Sequence, residues 1–341
     1  MSTPQDQFAL TEEQKEHWLK HGFIKVPQCF TREAAAAFTS SVWTRLGVSP
    51  TDKSTWTKEK VNMPGHTKVN VEEFAPKAWH AICDLVGGAD RVADWCKDWK
   101  DGWIVNMGKP EYTPQDTLDF RSLGDWHNDG DWFIHFLDSP EQALLVIPLF
   151  SDIKPKGGGT VICTDGIGLV AKHLRKLQCD HPEGTWPSLI SRDAVNVQTE
   201  ENSYWKHWAT SPDLSSDDSF HEATGEIGDV FLLHPFMLHS ASRNLRRDVR
   251  IILNPPVALK EPFNFNRADG QYSLLEQKTL MDLGRPTGIP EWKVTGSREL
   301  VTPKRIEIQA NMAREELERL EQAGEPITKL DGVERVGYYP S

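Results

Sequence analysis

Residues 126–130 read Trp126-His127-Asn128-Asp129-Gly130, and the rest of the chain can be arranged around them. Successive side chains of a β-strand point to opposite faces, so on a strand His127 and Asp129 project from the same face while Asn128 turns away. An imidazole and a carboxylate held side by side can bind one metal ion. The spacing therefore predicts a strand that carries two metal ligands.

A mononuclear iron(II) site with two histidines and one carboxylate needs a second imidazole from a remote strand. The best candidate is His239, which ends an apolar segment that begins at Gly228 and is broken by Pro235. Arg250 follows His239 with ten residues between them and opens the apolar strand 250–253. Its planar guanidinium suits a dicarboxylate ligand.

In this order and spacing, the motifs resemble those of the iron(II)- and 2-oxoglutarate-dependent dioxygenase superfamily, specifically its phytanoyl-CoA dioxygenase-like family. That family's pattern is H-x-D, a distal H, then ten residues and an R. His127, Asp129, His239 and Arg250 match it. The segment 10–30 resembles the family's opening helix and first strand, and the resemblance extends to about residue 258.

The resemblance implies a mainly β fold with flanking helices around a double-stranded β-helix, the jelly roll of cupins. It implies that His127, Asp129 and His239 hold the metal and that Arg250 binds 2-oxoglutarate. The implied cofactors are Fe(2+), 2-oxoglutarate and dioxygen, with ascorbate as a helpful reductant. In such enzymes the conversion of 2-oxoglutarate to succinate accompanies hydrogen abstraction from the substrate.

Other residues could compete for these roles. His234 could also present an imidazole, but the family spacing favours His239 and leaves His234 a structural or supporting role. Arg246 and its neighbours lie in a polar turn, where solvated charge is the usual state. Relatives often place Ser or Thr near the arginine, and because Ile251 and Ile252 cannot serve, Asn106 and Thr160 are candidate substitutes in binding the cosubstrate.

The length of 341 residues and the thirteen tryptophans are typical of one large domain with a substantial core. We expect a single dioxygenase domain over 1–341. Its parts are N-terminal helices over about 10–100, a jelly-roll core over about 100–258 and a C-terminal helical extension over about 259–341.

The net charge of −12 disfavours nucleic acid and anionic membranes as partners, since both reward clustered Lys and Arg. Five widely spaced cysteines without a C-x-x-C pair indicate reduced thiols inside the cell. Neither a signal peptide nor a stretch of about 20 apolar residues is evident. We therefore expect a cytoplasmic protein that acts on a small-molecule substrate.

Local patterns predict several further elements. Thr11 and Gln14 indicate a capping box for a first helix that stops at Gly22. A second helix is expected to begin at Thr31 and to carry one apolar face as far as Leu46. The polar region 47–70 suggests a lid over the active site.

Two more segments complete the pattern. The connection 176–222, with Trp186, Trp205 and Trp208, is expected to recognise the substrate. A last helix is expected from Thr302 to about Gln322, with an apolar stripe that favours core packing and leaves a homodimer as the alternative.

Four functions remain open at this point. The preferred one is oxidation of a small organic molecule, by hydroxylation or related hydrogen-abstraction chemistry, with a specialised metabolite as substrate. A phytanoyl-CoA-type acyl hydroxylase is the alternative within the family. A cupin-like protein with a structural metal would make no use of Arg250 as a dicarboxylate clamp, and a metal-dependent hydrolase or isomerase that does not use oxygen is the last alternative.

Overall fold

The computed structural model describes residues 9–180, 203–293, 298, 300, 302–303 and 305–325, without the side chains of 177–180 and 203–204. Helices surround a set of antiparallel sheets in this part of the chain. The helices are α1 (Glu12–His21), α2 (Arg32–Phe38), α3 (Val42–Leu46), α4 (Val71–Phe74), α5 (Pro76–Val86), α6 (Asp165–Asp180), α7 (Ser203–Thr210), α8 (Leu274–Asp282) and α9 (Arg305–Gln322).

The strands are short and spread over the whole chain. They are β1 (Phe23–Val26), β2 (Lys60–Asn62), β3 (Lys68–Asn70), β4 (Asp98–Lys100), β5 (Ile104–Asn106), β6 (Leu144–Pro148), β7 (Thr160–Cys163), β8 (Phe220–Glu222), β9 (Val230–Leu233), β10 (Leu238–Ala241), β11 (Arg250–Ile252) and β12 (Pro256–Val257).

These strands form four antiparallel groups. Their orders are β1-β9-β6-β12, β11-β5-β2, β10-β7-β8 and β3-β4. A backbone bridge between Leu149 and Ile252 joins the first group to the second, so these two form one continuous layer. The group β10-β7-β8 carries His239, and the layer that contains β11 carries Arg250. The jelly-roll connection of these layers stays a prediction.

The local signals near the N-terminus are confirmed. Thr11 caps α1 through a complete capping box with Gln14, and Gly22 ends the helix in the left-handed conformation. The first strand stops at Val26 because Pro27 has no N–H for the ladder. Its four residues pair with β9, which is buried along its whole length.

The expected second helix is two helices. Its apolar spacing continues past Phe38, but α2 ends there and α3 begins at Val42. Between them, the Thr39 hydroxyl donates to the carbonyl of Ala35 at 2.8 Å. Hydroxyl side chains compete in this way for the backbone groups that would continue a helix, and Thr39 is followed by two serines.

The region 47–70, expected to be a lid, contributes to the sheets instead. β2 pairs with β5, and β3 pairs with β4. Trp56, which precedes β2 in the chain, is buried, and its indole donates to the Ser49 carbonyl at 2.8 Å. This segment is therefore anchored by backbone pairing and by core packing.

The C-terminal helix α9 is held by a buried ionic cluster. Arg45 of α3 donates from Nε to Glu316 at 2.9 Å and from Nη1 to Asp101 at 2.8 Å. His66 lies 2.9 Å from the same Glu316 carboxylate oxygen. Each charge in this cluster has a partner, which buried charges require, so one face of α9 packs on the domain.

Within the part of the chain that the structure describes, none of the helices combines the length and the apolar character needed to cross a membrane. The described cysteines, Cys29, Cys83, Cys96 and Cys163, are free and buried. Burial raises the pKa of the Cys29, Cys83 and Cys96 thiols to about 12, so they stay protonated and unreactive.

Candidate metal centre

His127 and His239 come together through their backbones. The N–H of each residue donates to the carbonyl of the other at 3.0 Å, in an isolated antiparallel bridge beside β10. The expected strand through His127 and Asp129 does not form, because only His127 takes part in the pairing and Asp129 lies in a bend. The side chains nevertheless converge, since the bridge places the two imidazole rings 4.2 Å apart between centroids.

The three predicted ligands form a compact cluster. Nε2 of His127 lies 3.3 Å from Oδ1 of Asp129, and Nε2 of His239 lies 3.5 Å from Oδ2. The potential ligand atoms of all three residues lie within 4.8 Å of one another, and no other such cluster occurs among the described residues. Two atoms bound about 2.1 Å from one cation at right angles lie about 3 Å apart, close to these separations.

The hydrogen bonds of the two imidazoles select their tautomers. Nδ1 of His127 lies 2.6 Å from the carbonyl of Asp125, and Nδ1 of His239 lies 3.0 Å from the carbonyl of Met237. A carbonyl only accepts, so each Nδ1 carries a proton, and in the neutral imidazole each Nε2 is the atom that can bind a metal ion. The two Nε2 atoms and the carboxylate therefore meet at one point, where they can share a cation.

The charges at this point favour the same conclusion. Burial works against an ionised Asp129, yet the charge of His239 and the hydrogen bonds from both imidazoles hold its pKa well below the ordinary range. Burial also opposes a charge on His127, but the adjacent carboxylate raises the pKa of this imidazole. The centre thus stabilises positive charge next to an anionic ligand.

Gly130 lets the chain turn sharply after Asp129. Its φ is +112°, and a Cβ there would lie 2.7 Å from the rings of both Phe133 and His135. His135 donates from Nε2 to the Gly130 carbonyl at 2.6 Å and stacks on Phe133 with a centroid distance of 4.3 Å. A larger residue at position 130 would disturb the turn that places Asp129.

Arg250 is buried without a partner for part of its head group. It is 2% exposed, and its Nε and Nη2 make no hydrogen bond to any residue that the structure describes. Burial lowers the pKa of the guanidinium to about 10, so it remains charged at neutral pH. A buried cation with unsatisfied N–H groups is costly, and an anionic ligand would satisfy it.

The alternation of side chains along an extended chain relates Arg250 to Asn254. The chain stays paired with 148–150 as far as Leu253, so Arg250 and Asn254 project to the same side. Asn254 donates to Asp129 Oδ2 at 2.7 Å.

The remaining predicted site residues, Asn106 and Thr160, lie on the two layers. Asn106 is the Cα partner of Arg250, but its amide donates to the Ser242 carbonyl at 3.1 Å and accepts from the Gly108 N–H at 3.1 Å. Thr160 is buried opposite Ala241, on the same side of its sheet as His239. Their contacts to a cosubstrate stay predictions, and Asn106 already has protein partners at both ends.

His234 is separate from this centre. It is fully buried, accepts from the Phe236 N–H at 3.1 Å and bonds the Thr279 hydroxyl of α8 at 2.9 Å. Burial, followed by the charge of Lys278, keeps the pKa of this imidazole well below its usual value. Both ring nitrogens are engaged, so His234 ties β9 to α8.

Sequence reasoning missed the residues that support the loop after Asp129. Arg305 forms two hydrogen bonds to Asp131, at 2.6 and 2.8 Å, and Arg298 bonds Asp138 at 2.8 Å. Between them, Leu300 forms a backbone bridge with Phe133. No motif signals these contacts, because they join residues more than 150 positions apart.

The expected recognition segment is partly described. Trp205 of α7 is fully buried and packs edge-on against Trp208, with the ring centroids 5.0 Å apart. His173 of α6 packs against both tryptophans. Trp205 therefore has a packing role here, and Trp186 lies outside the described residues.

The buried neutral histidines make stability depend on pH. We expect the free energy of unfolding to fall as the pH drops below about 6.5, because His135 and His234 take up protons more readily in the unfolded chain. Burial lowers the pKa of His135 to about 4, so its contribution is complete above pH 6.5 and is lost down to about pH 4. Protonation of each histidine changes the free energy of unfolding by at most about 1.4 kcal/mol per pH unit.

Urea unfolding of wild type and His135→Gln between pH 4 and 7 measures this contribution. The slope of stability against pH should decrease in His135→Gln and should stay unchanged in His207→Gln, a control at an exposed histidine. Equal slopes in all three proteins would contradict the assignment.

No protein-family model matches the sequence, and no curated protein matches it. Several solved structures resemble the chain. HygX from Streptomyces hygroscopicus, with nickel and 2-oxoglutarate bound, is 14% identical with a TM-score of 0.40, over 76% of this chain and 93% of HygX. SnoK, a non-haem α-ketoglutarate-dependent carbocyclase from nogalamycin biosynthesis, is 13% identical with a TM-score of 0.37, over 88% and 99% of the two chains.

A hypothetical protein from Escherichia coli, JW0805, is 14% identical with a TM-score of 0.43, over 73% of this chain and 68% of that one. HygX has also been solved with iron bound. These are distant likenesses, so the function proposed below rests on the site itself.

Proposed function

We propose that this protein is a non-haem iron(II)- and 2-oxoglutarate-dependent oxygenase that oxidises a small organic molecule. The observation that carries the proposal is the donor set of His127, Asp129 and His239, in which the Nε2 atoms of two imidazoles and a carboxylate meet at one point. Two imidazoles and one carboxylate form the ligand set of non-haem iron(II) oxygenases. The buried, partly unpaired Arg250 supports 2-oxoglutarate as the cosubstrate.

In this proposal, His127, Asp129 and His239 would hold iron(II). With dioxygen as the oxidant, iron(II) and 2-oxoglutarate would supply oxidative decarboxylation to succinate and carbon dioxide, coupled to hydrogen abstraction from the substrate. Arg250 binds the distal carboxylate and orients the cosubstrate with its planar fork. The side chain of His127 is 39% exposed, whereas that of His239 is 7% exposed, so substrate approaches from the His127 side.

We further propose that the two layers of sheet form a jelly roll with the centre between them, since Asp129 contacts a residue of each layer. A specialised metabolite is favoured as substrate over an acyl-CoA, because a chain with a net charge of −12 is poorly suited to the phosphates of CoA. Hydroxylation, desaturation, ring formation and epimerisation are all outcomes open to this chemistry.

The test is to incubate the purified protein with iron(II), ascorbate and 2-oxoglutarate and to measure succinate in air and under nitrogen. We expect oxygen-dependent succinate that rises when a suitable metabolite is added. Asp129→Ala serves as the control for adventitious iron. A protein that binds iron(II) but neither binds nor consumes 2-oxoglutarate would instead support a structural metal or a metal-dependent hydrolase or isomerase.

A further inference from the structure

Asn254 touches one of the three proposed metal ligands from outside the motif. Its Nδ2 lies 2.7 Å from Oδ2 of Asp129. The ionised carboxylate only accepts hydrogen bonds, so the amide must present its NH2 group. Each oxygen also faces one imidazole, because Oδ1 lies 3.3 Å from Nε2 of His127 and Oδ2 lies 3.5 Å from Nε2 of His239. The hydrogen bond from Asn254 therefore distinguishes Oδ2 from Oδ1.

The position of Asn254 is set by the sheet. Just before it, the Leu253 N–H donates to the Pro148 carbonyl at 3.4 Å. Just after it come two prolines, and Pro256 is paired with Leu145 of β6. Proline also disfavours the helical conformation for the residue that precedes it, so Asn254 is restricted to extended conformations between two residues that are bonded to or paired with β6.

We propose that Asn254 is a positioning residue that reserves Oδ2 of Asp129, so that the carboxylate offers Oδ1 alone to the metal. The inference rests on the proposed function, because it takes the three-residue cluster as the iron site. A carboxylate can bind a metal through one or both oxygens. If both oxygens of Asp129 bound the metal, the second oxygen would occupy a coordination position that the cosubstrate or dioxygen needs.

A residue that only positions a metal ligand has a measurable effect on metal affinity. Hydrogen-bond partners that orient ligating groups are typically worth about 10- to 100-fold in metal affinity. Asn254→Ala is therefore expected to raise the iron(II) dissociation constant by about 10- to 100-fold. Asn254→Leu restores most of the lost volume without the donor and should show the same loss.

Asn266 offers a matched control. It is exposed, and its Nδ2 makes one hydrogen bond, to the Pro290 carbonyl at 2.8 Å. Asn266→Ala thus removes one amide hydrogen bond that does not involve Asp129, and iron affinity should stay at the wild-type value. Thermal unfolding of the metal-free proteins reports any general loss of structure in these variants.

Anaerobic titration with iron(II), in the absence of 2-oxoglutarate, is the deciding measurement. An iron affinity within about two-fold of wild type in folded Asn254→Ala or Asn254→Leu would overturn the proposal, as would an equal loss in Asn266→Ala. Because 2-oxoglutarate is left out, a wild-type protein that binds iron but not 2-oxoglutarate would refute the proposed function and leave this inference standing.

Discussion

Replacing any one of His127, Asp129 and His239 with Ala is expected to abolish turnover and to weaken iron(II) binding by more than about 100-fold. The lower bound follows because residues that only orient a metal ligand are already worth about 10- to 100-fold. We expect the variants to remain folded, since the backbone bridge between the two histidines does not depend on their side chains. Anaerobic iron titration, with circular dichroism as a check on folding, measures both effects.

His234→Ala is the matched control for these variants. It removes an equally buried imidazole that lies only five residues before His239 but bonds Thr279 instead of the cluster. We expect it to keep iron binding while it loses stability, because the Phe236 N–H loses its acceptor and the Thr279 hydroxyl keeps only its bond to the Leu275 carbonyl. Loss of iron in His234→Ala together with normal binding in His239→Ala would reverse the assignment of the distal ligand.

Arg250→Ala is expected to weaken 2-oxoglutarate binding by roughly 30- to several-thousand-fold while iron affinity stays near normal. Truncating one partner of a buried, charge-assisted contact costs about 2 to 5 kcal/mol, which corresponds to this range. Arg250→Lys should recover only part of the loss, because an ammonium keeps the charge but not the planar fork. Titration of 2-oxoglutarate into the iron-loaded protein, followed by the metal-to-ligand charge-transfer band, gives the affinity.

Arg246 provides the comparison for Arg250. Its side chain is 33% exposed, and its guanidinium pairs with Asp248 at 3.2 Å in the turn before β11. An exposed pair of this kind is worth less than about 1 kcal/mol, so Arg246→Ala should bind 2-oxoglutarate almost as wild type does. The proposed role of Arg250 would be ruled out if Arg250→Ala bound 2-oxoglutarate with normal affinity and Arg246→Ala bound it much more weakly than wild type.

The stability of Arg250 variants separates cosubstrate binding from a structural role. Without 2-oxoglutarate, Nε and Nη2 of Arg250 are buried and have no partner among the described residues. Arg250→Met removes this uncompensated charge and keeps most of the volume, so the free protein should be at least as stable as wild type. When 2-oxoglutarate is added to the iron-loaded proteins, it should stabilise the wild type but not Arg250→Met.

Helix caps were predictable because the forces that set them act within a few residues. The cap of α1 joins Thr11 to Gln14, and Gly22 ends the helix. The same local reasoning failed where two local preferences compete. The apolar spacing from Thr31 to Leu46 continues, but the hydroxyl of Thr39 interrupts the helix.

The order and spacing of His127, Asp129, His239 and Arg250 are properties of the sequence, and they were enough to predict which side chains should gather. Only the tertiary structure decides how they gather. A backbone bridge, not a regular strand, aligns the two imidazoles, and carbonyls of Asp125 and Met237 orient their lone pairs.

The contacts of Asn254 with Asp129 and of Arg305 with Asp131 have no counterpart in any sequence pattern. Asparagine and arginine are common, and nothing local marks which of them will meet a given carboxylate. The physical reason is range: periodicity and capping depend on neighbours along the chain, whereas these pairs form only after separate layers of the fold have packed together.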